Sequence, residues 1–213
     1  MPSATVPPEE LLAVIDQYRS RQRLVTGLLV GLVFIPFLAV YAWQGLLPAA
    51  VVAIGMIVLL RAPILRPRGT ARIRTADDPE TVADVFTGPR PPLLAFQWGL
   101  ADVITTDKGT TYTFTDLFGR RQTEMTVNAQ RTSLKEGQIR IDLSVTADGA
   151  PWGTYTVTIG ADGEQTTVTI EYTADRRFGL RRLPQQVLMR RYQPDALAAQ
   201  GYTILERDAH FGR

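Results

Sequence analysis

The sequence predicts an α+β protein: a two-helix transmembrane hairpin at the N-terminal end, then an antiparallel β-meander packed against a C-terminal helix. Three observations carry this. Two uncharged apolar runs lie two residues apart near the start of the chain. Beyond residue 90 the apolar spacing changes from helical to alternating. A proline-started helical stretch follows the last of the alternating segments, where a sheet with one apolar face needs a cover.

PPEELLAVIDQYRSRQR, within residues 1–23, places proline and glutamate in a first turn and Leu11, Ile15 and Tyr18 at helical spacing. It reads as an amphipathic cytoplasmic arm or as the solvated start of the next helix. LVTGLLVGLVFIPFLAVYAW, residues 24–43, is uncharged and about 30 Å long as a helix, one hydrocarbon thickness. LLPAAVVAIGMIVLL, residues 46–60, is shorter, with Arg61 free to snorkel and Ile64 and Leu65 available to extend it. The hairpin is thus expected over residues 24–65. Arginines 19, 21 and 23 precede it and arginines 61, 66, 68, 72 and 74 follow it, which places both termini on the cytoplasmic side of a cell membrane crossed twice. Residues 1–74 hold eight arginines against three acids, and the remainder holds 15 basic against 18 acidic side chains, so the basic excess sits beside the apolar runs.

RPRG at 66–69 reads as a linker to a cytoplasmic domain over 70–213. There, ARIRT at 71–75 is a short strand and ADDPETVADVF a helix capped by Asp77 or Asp78 and started by Pro79. Six alternating segments follow. They place Leu94, Phe96, Trp98 and Leu100 on one face, then Tyr112 and Phe114, then Met125, Val127 and Ala129, then Ile139 to Val145, Tyr155 to Ile159, and Val168 to Tyr172. The breaks DKG, LFGRR, KEG, ADGAP and ADG each supply a glycine for a tight connection. Leu183 onward is helical with Pro184 in its first turn, PDALAAQ is a further helical piece ended by Gly201, and YTILERDAHF ends as a strand.

Strand, short helix, six-strand meander and C-terminal helix over residues 70–213 together resemble the helix-grip fold of the START-like, or SRPBCC, superfamily in length and element order. The resemblance implies an apolar cavity between the curved sheet and the C-terminal helix, and binding of lipids or other hydrophobic molecules. The YTILER segment departs from the usual ending of that fold.

Catalytic signals are few. The chain has no cysteine, which excludes disulfides and thiol chemistry, and His210 is its only histidine. No nucleotide-loop, nucleophile-elbow or HExxH pattern occurs, no metal site or cofactor is expected, and the acids at 77, 78 and 80 are accounted for by helix capping. A non-enzymatic module is the expectation. The aromatic residues Phe96, Trp98, Tyr112, Phe114, Tyr155 and Tyr172 either line an apolar pocket or fill the core. Arg176, Arg177, Arg181, Arg182, Arg190 and Arg191 either contact anionic lipid beside the membrane or solvate the outer side of a helix. Nucleic acid is excluded as a partner, because the domain is mildly acidic and its aromatics alternate inward. The expected function is a membrane-anchored module that binds a hydrophobic small molecule or membrane lipid at the cytoplasmic face. The alternative is a tethered assembly protein with a packed core, whose partner is a membrane or cytoplasmic protein.

Overall fold

The structure, a computed structural model, describes residues 8–107, 109–115 and 122–212, with the side chains of 136 and 209–212 outside that description. The expected LFGRR turn and the His210 side chain therefore lie outside the described residues.

Helix α1 runs unbroken over Glu9–Gln44, with Pro36 inside it. Its first half is amphipathic, as the spacing implies, but the apolar face meets protein. Leu11, Ile15 and Tyr18 are buried in the main core, and Tyr18, 1% exposed, packs on Phe96 at 4.6 Å and edge-on to Tyr192 at 6.3 Å between centroids. Its second half is apolar and bare: Leu28, Phe34 and Ile35 are exposed, and Trp43 is 90% exposed. Gly45, at φ 84°, reverses the chain into α2 (Leu46–Arg61), which returns along α1.

The two-helix transmembrane hairpin and the two-pass placement with both termini cytoplasmic are both overturned here. Among the described residues, only α1 is long and apolar enough to cross a membrane. Helix α2 has 16 residues, about 24 Å, against a hydrocarbon thickness of about 30 Å. Pro63 sets its end, because a residue before proline is pushed out of the helical region, and Ala62 is already extended at ψ 122°. Ile64 and Leu65 thus extend no helix. They belong to strand β1 (Pro63–Thr75), which also contains RPRG, so the expected linker is regular strand.

Helix α3 (Pro79–Thr87) follows, with Asp78 as its cap: the carboxylate accepts from the backbone N–H groups of Glu80 and Thr81. LLAFQWGL, expected as a strand, is instead a 3-10 turn at Pro92–Leu94 running into the one-turn helix α4 (Ala95–Trp98). Pro91 and Pro92 are compatible with a helical start, and the Trp98 indole Nε1–H closes the segment onto the Pro91 carbonyl at 3.1 Å. Both sides of it are buried, so its alternation does not mark a half-buried strand.

The remaining strands are β2 (Val103–Thr105), β3 (Thr110–Thr115), β4 (Gln122–Ser133), β5 (Ile139–Ala147), β6 (Ala150–Asp162), β7 (Gln165–Ala174), β8 (Phe178–Gly179) and β9 (Thr203–Gly212). Their order is β2-β3-β4-β5-β6-β7-β1-β8, with β9 also on β1, and every pairing is antiparallel. Between β5 and β6 the connection is Asp148-Gly149 with both residues at positive φ, the two-residue hairpin geometry that matches strand twist. Helix α5 (Leu183–Ala198) is one helix through Pro194, where two pieces were expected. It ends with Gly201 at φ 84° and the Tyr202 N–H returning to the Leu197 carbonyl, a Schellman-type stop. Helix α3 packs directly on β4, β5 and β6, whereas α5 packs on α1 and β9. The result is a mixed α+β fold in which N-terminal helices and a C-terminal helix flank a central antiparallel sheet, a generic helix-grip-like topology.

Candidate functional site

Because α5 is held by α1 and β9, a space remains between it and the inner face of the sheet. It is a half-open cavity of about 880 Å³, within the size range of small-molecule sites, about 300–1,000 Å³. Met125, Ala147, Tyr155, Ile170 and Tyr172 form the sheet wall, and Gln185, Gln186, Met189 and Leu197 form the α5 wall. Leu93 and Gln97 of the turn and α4 add to the lining. At its open side the lining continues onto α1 at Leu29, Val30, Val33 and Phe34, and onto α2 at Ile57 and Leu60.

The register explains which aromatics reach this space. Leu143 of β5 pairs with Tyr155 of β6, which pairs with Tyr172 of β7, which pairs with Gly69 of β1. These positions share one face of the sheet, and the two phenol rings lie 4.6 Å apart. Gly153 is required beside them: a Cβ there would stand 2.8 Å from the Tyr172 ring. Desolvation pushes the Tyr155 phenol well above its ordinary range, with the neighbouring Tyr172 adding to the shift. Burial likewise raises Tyr172 to about 12, helped by Asp175 and opposed by Arg176.

Of the six aromatic candidates, Phe114, Tyr155 and Tyr172 line the cavity. Phe96, Trp98 and Tyr112 lie in the packed core. Phe96 packs against Tyr18 with the rings tilted by 36°, the Trp98 indole donates to the Pro91 carbonyl, and the Tyr112 hydroxyl donates to the Pro89 carbonyl at 3.0 Å. The arginines separate in the same way. Arg177 and Arg191 are exposed. Arg181, Arg182 and Arg190 edge the cavity, and the Arg190 carbonyl accepts a hydrogen bond from Arg207 Nη1. Arg176 and Arg182 are half-buried, their guanidinium carbons 4.4 and 4.6 Å from the centroid of the Trp152 ring.

Trp152 and Phe178, both lining the cavity, were not among the sequence candidates. Trp152 sits next to a turn in APWG, outside the alternating core of β6, and Phe178 is hidden among arginines. Two lining glutamines also escape a pattern search. Gln97 Oε1 and Gln186 Oε1 are buried without a hydrogen-bond partner among the described residues, so each offers the cavity an unused polar group. No cluster of three or more histidine or acidic side chains suited to a metal ion occurs among the described residues.

No family model matches the chain, and no curated protein matches it. Among solved structures, the Mll3558 protein from Rhizobium loti is 16% identical with a TM-score of 0.40, over 63% of this chain and 96% of that one. A conserved protein from Geobacillus kaustophilus is 14% identical with a TM-score of 0.37, over 68% and 99%. An uncharacterized protein from Rhizobium leguminosarum is 13% identical with a TM-score of 0.35, over 62% and 93%. Likenesses at this level identify no ligand for this chain.

Proposed function

We propose that this protein is a membrane-associated, non-enzymatic module that takes a hydrophobic ligand or lipid into the space between its sheet and α5. The observation that carries the reading is the continuity of the cavity lining, from Tyr155 and Tyr172 on the sheet to the bare apolar side chains of α1. An exposed apolar surface of that length is unfavourable in water and is covered when α1 lies in a bilayer. A cavity opening onto that surface gives an apolar molecule a path from lipid to protein that avoids water. The competing reading, an assembly protein with a fully packed core, is disfavoured by a ligand-sized space inside the fold.

The test is native mass spectrometry of the full chain, released from detergent micelles after incubation with a total lipid extract. A stoichiometric adduct is expected. Ile170→Phe, which adds a ring at the cavity wall, should reduce its occupancy by about tenfold while the thermal midpoint falls only slightly. An unliganded mass for the wild-type chain would overturn the proposal.

A further inference from the structure

Trp152 and Phe178 lie 5.1 Å apart between centroids, at the cavity wall. Two guanidinium groups share this pair of rings: that of Arg176 is 4.4 and 5.5 Å from their centroids, and that of Arg182 is 4.6 and 5.1 Å away. Both contacts fall within cation–π range, about 6 Å. The rings hold two like charges in one small region, and of the two Arg182 lines the cavity. No carboxylate forms an ion pair with either arginine among the described residues. The nearest in sequence, Asp175, accepts instead from the Thr154 hydroxyl at 3.2 Å.

Two further features make this more than a solvated charge pair. Arg176 Nε is buried with no hydrogen-bond partner among the described residues, an uncommon condition for a guanidinium donor. Arg182 is partly desolvated, and burial together with the like charges of Arg176 and Arg181 holds its guanidinium below the ordinary arginine range. Uncompensated charges in such a place are costly until an anion joins them. Arg181 stands at the same edge, and a guanidinium presents forked donors that match the oxygens of a carboxylate or phosphate.

We infer that the ligand is an anionic amphiphile, its carboxylate or phosphate held by Arg176 and Arg182 beside Trp152 and its hydrocarbon running into the cavity against Tyr155 and Ile170. This rests on the reading that the cavity takes a hydrophobic ligand. It assigns to that ligand a charge, and to the half-buried arginines a different role from the exposed Arg177 and Arg191.

The full chain in nonionic detergent is offered oleate, dioleoyl phosphatidylglycerol, dioleoyl phosphatidylcholine or inorganic phosphate, and adducts are counted by native mass spectrometry. Oleate or phosphatidylglycerol should be retained over phosphatidylcholine by about tenfold or more. A preference for one of those two identifies the anion as carboxylate or phosphate. The double variant Arg176→Gln/Arg182→Gln should lose the preference while keeping the phosphatidylcholine adduct. Arg177→Gln/Arg191→Gln, which removes the same charge from exposed positions, should leave it intact. Equal retention of both phospholipids and of oleate, or a preference that survives in the first variant, overturns the anionic assignment and leaves the hydrophobic site standing. Displacement of the lipids by inorganic phosphate would also overturn it, marking a free-anion site. Failure to retain any lipid overturns the site itself.

Discussion

Replacing Tyr18 by alanine is expected to destabilise the protein by about 3–5 kcal/mol, the cost of removing a large aromatic side chain from a closed core. Tyr18 is 1% exposed and belongs to a helix whose far half is bare, so its importance is not visible from the apolar run that follows it. It fills the junction of three elements: its ring packs on Phe96 of α4, meets Tyr192 of α5, and continues the buried row begun by Leu11 and Ile15. A loss of this size is a large part of a typical stability of about 5–15 kcal/mol. Thermal or denaturant unfolding of the full chain in detergent checks it. A change within about 0.5 kcal/mol, as expected of a surface position, would show that the α1 base is not docked. The same packing predicts that the sheet region cut away from α1 exposes Phe96, so ligand studies belong on the full chain.

The second large effect concerns Gly179. A Cβ placed there would lie 2.7 Å from the Leu60 carbonyl oxygen and 3.0 Å from that of Arg61. Those are backbone atoms at the end of α2, and no flexible side chain can move to make room. Gly179→Ala is therefore expected to cost about 1–3 kcal/mol, the range for overpacking a tight contact. It should also loosen β8 from the start of β1, where Gly179 pairs with Pro63. Its φ is −75°, so the requirement is for space and not for left-handed backbone. Hydrogen exchange of β8 and the α2 end, compared with β5 and β6, would locate the loosening. Uniform protection with an unchanged melting point would mean that β8 and the end of α2 do not touch.

The sheet was legible in the sequence wherever one face was apolar and the other polar. The alternation over Ile139–Val145, Tyr155–Ile159 and Val168–Tyr172, with glycine turns between, corresponds to β5, β6 and β7 and their hairpins. It misled at LLAFQWGL because that segment is buried on both sides, and two-sided burial removes the contrast that makes alternation diagnostic. The end of α2 was misread for a different reason: apolar length continued through Ile64 and Leu65, whereas Pro63 had already switched the backbone to strand. Helix α5 lacks a clean apolar stripe because one side lines a cavity and another meets α1, so its residues serve two surroundings at once.

For the site, composition named six aromatics and six arginines without distinguishing their surroundings. Tyr155 and Tyr172 reach the cavity because they occupy paired positions on adjacent strands, while Phe96 and Trp98 are taken into the core by the turn that their prolines begin. The pairing of Arg176 with Arg182 around Trp152 joins residues from β6, the segment before β8 and the turn before α5. No spacing rule connects those three positions.

The central claim, that the space under α5 takes in an apolar chain, is tested most directly by the fluorescence of Trp152. Trp43→Phe and Trp98→Phe leave it as the sole tryptophan, at the cavity wall. Titration of that variant with a bromine-labelled fatty acid should quench it saturably, with an end point near one equivalent and reversal by unlabelled oleate. Quenching that rises without saturation as the label partitions into micelles, or no quenching at all, would contradict the claim.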